Sequence, residues 1–255
     1  MLRDYQKNLE RAWDMVEDVD FNLGADAYQI YHDTLRGFAT AYGTGFMATV
    51  EAFVALSPNS DYHGNLRSLS TCLFAHAAGV DFETLSISTY KGCGRRAMTY
   101  LDGTADFLKT VKGKKITCFR DNILHLDKSK RVTIDGHMIA ILTGKNMTMK
   151  DANFELRKHG YEVLERHVAE FAKYHDLTPS TVQAVLWTSR KRLSGNNFSE
   201  QTDLFEGENR WNAVLKPSDY PPYQVMQWRE WLKTQARMAG NTMLPPVGDH
   251  HANYP

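Results

Sequence analysis

Apolar residues return along this chain at three- and four-residue intervals, and that spacing restricts it to helices packed on helices. Tyr5, Leu9, Ala12, Trp13 and Val16 mark one such face; Tyr161, Leu164, Val168 and Phe171 mark another. Residues 44–56 form a dense apolar helix that Pro58 closes, because a proline cannot continue it. Beyond the polar turn at 57–61, Leu66, Leu69, Cys72 and Leu73 predict the next helix, and 95–101 a short one. Asp135 stands where a helix over 135–142 begins, a place that favours Asp as a cap. Thr178-Pro179 opens another through Val182, Val185 and Leu186, with proline at a tolerated first-turn position. Strand signals are few: Val132-Thr-Ile is one short run, and no repeated alternation or tight strand turn occurs. There is no internal repeat. The expected fold class is all-α.

With 255 residues, 42% of them hydrophobic, the chain can bury a core as one large domain or two intimate lobes. No run of about 18 apolar residues exists, so no membrane span is expected. The N-terminus, Met1-Leu-Arg-Asp-Tyr, has no apolar signal core, which predicts an intracellular, cytoplasmic protein. Cys72, Cys93 and Cys118 are far apart and odd in number, giving neither a metal-ligand spacing nor a disulfide framework. After Leu193 the composition becomes loop-like. Tyr220-Pro-Pro-Tyr223 precedes a last helix through Trp228, Trp231 and Leu232, and the tail from Pro245 is expected to be poorly ordered.

The formal net charge is zero, which argues against a generic nucleic-acid binder. Its distribution is uneven. Acids outnumber bases over residues 1–33, whereas 91–131 carries Lys91, Arg95, Arg96, Lys109, Lys112, Lys114, Lys115, Arg120, Lys128, Lys130 and Arg131 against four aspartates. Phosphate binding depends on local charge more than on the total. Two ordinary solvated helix faces are the competing reading.

Within that basic stretch, 104–110 and 114–124 read as the arms of a helical hairpin whose turn is Lys112-Gly113-Lys114, and Gly113 can supply a conformation that other residues resist. A short turn between helices exposes backbone N–H groups, and the second helix adds the positive end of its dipole; together they grip a phosphate without reading sequence. The hairpin is followed by Val132-Thr-Ile-Asp135-Gly-His137. A hairpin and then an Asp at the next helix start resembles the helix-hairpin-helix DNA glycosylases of the endonuclease III type. Val54-Ala-Leu-Ser57 is similar to the segment before their base-contacting loop. Phe119-x-x-Asn122-Ile and Thr178-Pro-x-x-x-Gln183-Ala-x-x-Trp187 also look like segments of uncharacterised glycosylase-like proteins of bacterial viruses.

The resemblance implies an all-α fold of two packed helical lobes over residues 1–193, with the hairpin at 104–124 and a C-terminal extension at 194–255. It implies a partner, double-stranded DNA with one base extruded, and for a virus-encoded member the bacterial host cytoplasm. Asp135 would assist departure of the base by stabilising positive charge on the sugar or activating the nucleophile; a plain helix cap is the alternative. Lys115 matches the lysine that attacks the sugar in bifunctional members, or else faces solvent or phosphate. Val111, Lys112, Gly113 and Lys114 would contact backbone phosphate, with Val111 standing where the family's hairpin has its first glycine. Asn59 and Tyr62 are candidates to fill the gap or to bond the orphaned partner base, against a plain surface turn. The family's iron–sulfur cluster needs cysteines near the C-terminus, and none follows Cys118, so no cofactor and no metal are expected. His137 reads as a local structural histidine, and the His250-His251 pair lacks a third ligand. Three activities stay open: an N-glycosylase, a transferase or lyase that remodels a base in DNA, and a non-catalytic DNA-binding module.

Overall fold

The computed structural model describes residues 2–145, 148–194 and 216–220, together with Tyr223 and Gln227. Among these residues the fold is all-α, with no strand. In chain order the helices are α1 (Leu2–Trp13), α2 (Asp18–Tyr42), α3 (Phe46–Leu56), α4 (Tyr62–Ala78), α5 (Lys91–Leu101) and α6 (Phe107–Thr110). Then come α7 (Lys114–His125), α8 (Gly136–Thr143), α9 (Met149–His159), α10 (Tyr161–Tyr174) and α11 (Pro179–Leu193). Local chemistry sets several ends. A capping box between Glu17 and Asp20 starts α2, and Gly43, at φ 67°, stops it in the left-handed conformation that glycine tolerates. Asp61 caps α4 by accepting the Gly64 amide, and Thr178 caps α11 ahead of its first-turn proline.

The helices bury two apolar clusters. Leu35, Phe38, Phe53, Leu66, Leu69 and Ile123 anchor one, built from α2 to α7. Leu9, Met138, Leu164, Phe171, Val182 and Leu186 anchor the other, built from α1 and α8 to α11. Each such side chain contributes about 1.5–3 kcal/mol by leaving water. The long α2 and α11 join the clusters along their length. They approach so closely that a Cβ on Gly24 would lie 2.4 Å from the Val185 Cα. At the end of this contact Arg192 donates to both oxygens of the fully buried Asp20, at 3.0 and 2.7 Å, and its guanidinium also pairs with Glu17. A buried carboxylate needs such a partner.

Several sequence expectations are corrected. The extended run Val132-Thr133-Ile134 pairs with no strand; side chains supply what a ladder would. Val132 N donates to Glu165 Oε1 at 2.9 Å, Ile134 N donates to the Tyr161 hydroxyl at 2.9 Å, and that hydroxyl donates to the Val132 carbonyl at 2.7 Å. The first hairpin arm is shorter than 104–110: Asp106 caps a single turn, α6. Conversely, α5 begins at Lys91, four residues earlier than Arg95. The loop at 195–201, the last helix through Trp228, Trp231 and Leu232, the tail from Pro245 and the His250-His251 pair lie outside the described residues, as does most of the 194–255 extension.

Candidate functional site

A cavity of about 180 Å³ opens between the two clusters. For scale, an apolar cavity of about 150 Å³ holds a benzene ring. One wall is α2, which contributes Tyr28 and Tyr31; α3 and α7 add Phe53 and Phe119. Tyr31 is the hub of this wall, with ring centres 5.1 Å from Tyr62, 5.5 Å from Phe119 and 5.7 Å from Phe53. Burial pushes the Tyr28 and Tyr62 phenols up to about 12, against hydroxyl contacts from Thr133 and Thr34 that pull the other way, and raises Tyr31 too. At neutral pH these walls are uncharged.

The opposite side is polar. Gln183, Trp187 and Lys191 project from one face of α11 at four-residue spacing, Asp135 comes from the start of α8, and Lys115 from the first turn of α7. Asp135 does cap α8: its Oδ1 accepts the Met138 amide at 2.9 Å. Its Oδ2 accepts the Trp187 indole N–H at 3.0 Å, so both carboxylate oxygens are fixed in direction. Behind the wall runs a buried chain of hydrogen bonds. The Tyr28 hydroxyl donates to Gln183 Oε1 at 2.6 Å and lies 3.0 Å from Thr133 Oγ1. Asn122 Nδ2 donates to that Thr133 oxygen at 3.2 Å, and Asn122 Oδ1 accepts the Ser129 hydroxyl at 2.6 Å. Satisfied polar networks of this kind hold side chains in one arrangement. Burial lowers the His137 pKa, and the Lys191, Arg190 and Lys115 charges add to the effect against the opposing pull of Asp135.

The residues singled out from sequence fall in different places. Asp135, Lys115 and Tyr62 line the cavity together. Lys114 turns the other way and pairs with Glu162 on α10. Lys112 is exposed, and among the described residues no carboxylate pairs with it. Val111 buries its side chain in the first cluster, and its backbone N–H donates to the Phe107 carbonyl at 2.9 Å. Gly113 has an ordinary φ of −83°, with open space where a Cβ would stand, so the turn makes no use of glycine's freedom. It offers no side-chain cap, which leaves the first amides of α7 uncapped. Asn59 sits exposed on the turn at φ 56°, outside the cavity lining formed by its neighbours Ser57, Ser60 and Asp61.

The basic stretch is largely used up internally. Arg120 is buried, donates to Glu51 Oε1 at 2.9 Å and lies 5.2 Å from the Phe107 ring centre, which ties α7 to α3 and α6. Arg131 pairs with Glu165, Arg95 with Glu83, and Lys91 caps the carbonyls of Glu83 and Leu85. These cations hold the fold, whereas Arg96, Lys112, Lys128 and Lys130 of the same stretch are exposed.

Sequence reasoning missed Tyr28, Tyr31 and Lys191. The Gln183-x-x-x-Trp187 spacing was the available signal for the last: one more turn along the same face reaches Lys191. The tyrosines of α2 carried no such signal, because an aromatic pair at helical spacing reads as core. Among the described residues there is no group of three His, Cys, Asp or Glu side chains able to hold a metal ion. The three cysteines are free. No described helix is long and apolar enough to cross a membrane.

No curated protein and no solved structure matches this chain. A family model does match residues 1–193, ending where α11 ends. The chain therefore belongs to DUF7178, a family of unknown function.

Proposed function

We propose that this protein binds DNA and acts on a nucleobase swung out of the duplex, most simply by cleaving its N-glycosidic bond, on a helix-hairpin-helix glycosylase-like fold. The supporting observation is convergence. Asp135 and Lys115, chosen for their place after and within the hairpin, share one aromatic cavity with Tyr62 from the turn-bearing helix. Extruding a base costs a few kcal/mol. Stacking on aromatic walls such as Tyr31 and Phe119 returns about 1–3 kcal/mol per base.

Asp135 suits the chemical role. Its two fixed hydrogen bonds hold the carboxylate still while positive charge develops on the sugar, and stabilisation is strongest where donors and dipoles need no reorganisation. The α7 start, with uncapped amides and the exposed Lys112, lies next to Lys115 and offers a backbone phosphate a place beside the cavity. The test is incubation of the protein with duplexes carrying a panel of modified bases, followed by mass spectrometry of free bases and residual nucleosides. Released base supports this reading. An altered nucleoside with an intact glycosidic bond replaces it with base remodelling, and no product with retained DNA affinity replaces it with a binding module.

A further inference from the structure

We propose that Lys191 is the general acid that delivers a proton to the departing base. The inference rests on the glycosidic-bond reading above and assigns a second catalytic group to the same cavity. Lys191 lines that cavity one helical turn beyond Trp187, and its Nζ lies 4.3 Å from the centre of the Trp187 ring. Trp187 thus touches both candidate groups, with its N–H on Asp135 and its face under Lys191. Among the described residues no carboxylate lies within 4.0 Å of the Lys191 ammonium, in contrast to Lys114, which Glu162 holds. Among the described residues no hydrogen-bond acceptor is recorded for Lys191 Nζ, and the residue lines the cavity.

The charge state fits an acid better than a nucleophile. Burial makes the ammonium a stronger acid than an exposed lysine, while Asp135 and Asp61 act to keep the proton on. The Trp187 face acts in the same direction, since an aromatic face attracts the cation. These three neighbours favour the cation against the larger effect of burial, which lowers the Lys191 pKa overall. A donor that is loaded yet weakened is what proton transfer to a leaving group requires.

The C1′–N bond breaks with its electron pair leaving on the base nitrogen, and a proton moves from Lys191 Nζ to the base. Asp135 stabilises the positive sugar. Water adds at C1′ and gives a proton to the Asp135 carboxylate, and that proton returns to Lys191 through solvent. The sum is nucleotide plus water giving an abasic site plus free base.

A leaving-group series tests it. Full-length protein, with Lys191→Met and Lys191→Arg variants, is assayed under single turnover on duplexes carrying thymine mispairs, uracil, 5-hydroxymethyluracil and 5-fluorouracil, which differ in the acidity of the released base. Thermal unfolding is measured in parallel. The wild type is expected to depend weakly on that acidity. Lys191→Met is expected to lose about 100-fold or more on the poorest leaving group and much less on 5-fluorouracil, steepening the dependence. Arg keeps the charge but holds its proton too tightly, so Lys191→Arg should steepen it too. A uniform loss across the series, or an Arg variant with wild-type rates, overturns the general-acid role while leaving the glycosidic-bond reading intact. Release of none of these bases by the wild type overturns that reading on this base class and the inference with it.

Discussion

The indole N–H of Trp187 and the Met138 amide hold opposite oxygens of the Asp135 carboxylate, at 3.0 and 2.9 Å. One of these bonds is the ordinary work of a helix cap; the other comes from a residue 52 positions further along the chain, about a fifth of its length. A cap alone needs only the first. The second aims the group.

Replacing Trp187 with Phe keeps an aromatic face while removing the donor to Asp135 and narrowing the ring under Lys191. A hydrogen bond to a charged group is worth about 1.5–3 kcal/mol, so kcat on an active substrate should fall by roughly 10- to 100-fold, with KM little changed. An unchanged kcat would mean that the Trp187 bond does not serve the reaction.

Asp135→Asn leaves one acceptor for two donors. Turnover should be lost while DNA affinity persists, and unfolding in denaturant should show a cost of about 1–3 kcal/mol. Asp135→Ala should cost about 0.5–2 kcal/mol through the lost cap. A variant that is destabilised yet fully active would reduce Asp135 to a cap.

The two hairpin lysines should separate in a salt titration. Lys112→Ala should weaken binding equally on unrelated duplexes and reduce the logarithmic salt slope by about 0.9. Lys114→Ala should change the slope less, because its ammonium is already paired with Glu162. Fluorescence anisotropy across a range of salt concentrations measures both, and equal effects would mean that the Glu162 pair opens on DNA.

Two glycines should respond in opposite ways to a methyl group. Gly113→Ala should leave the melting temperature within about a degree or two, since φ is −83° and the space is open. Gly24→Ala would force its methyl group against the Val185 backbone at 2.4 Å and should destabilise by about 1–3 kcal/mol or more. Similar melting points for the two would contradict the close approach of α2 to α11.

His137 should carry part of the acid sensitivity. Its pKa is lowered in the folded protein, chiefly by burial. As pH falls below about 6.5, the unfolded chain takes up this proton first, so its stability contribution declines toward acid and is fully present at higher pH. Unfolding free energies measured from pH 7.5 to 5 should fall less steeply in His137→Phe than in the wild type. Parallel curves would place the sensitivity elsewhere.

Much of this arrangement was legible in the sequence. Helical periodicity located most of the elements, and capping chemistry placed Asp135 at the start of α8. Lys115 could be placed next to Lys114 but not told apart from it: adjacent residues on a helix point about 100° apart, and only the position of α10 decides which one meets Glu162. The same limit hid Val111, whose burial depends on the cluster beneath it, and Arg120, whose charge read as available until Glu51 was placed beside it. Lys191 had a signal in the Gln183-x-x-x-Trp187 spacing, but a basic residue in the last turn of a helix is also what the dipole favours.

The contact of Gly24 with the Val185 backbone, locked at its end by Arg192 on Asp20, makes α2 and α11 a single stiff beam. Tyr28 and Tyr31 ride on one half of it, and Gln183, Trp187 and Lys191 on the other. The groups that face each other across the cavity are thus mounted on two helices in direct contact. The turn at 57–61 and the start of α7 complete the lining through Ser57, Ser60, Asp61 and Lys115. If the protein grips a strand as proposed, Lys112, just ahead of α7, does so beside the part of the lining that the α2–α11 pair does not carry.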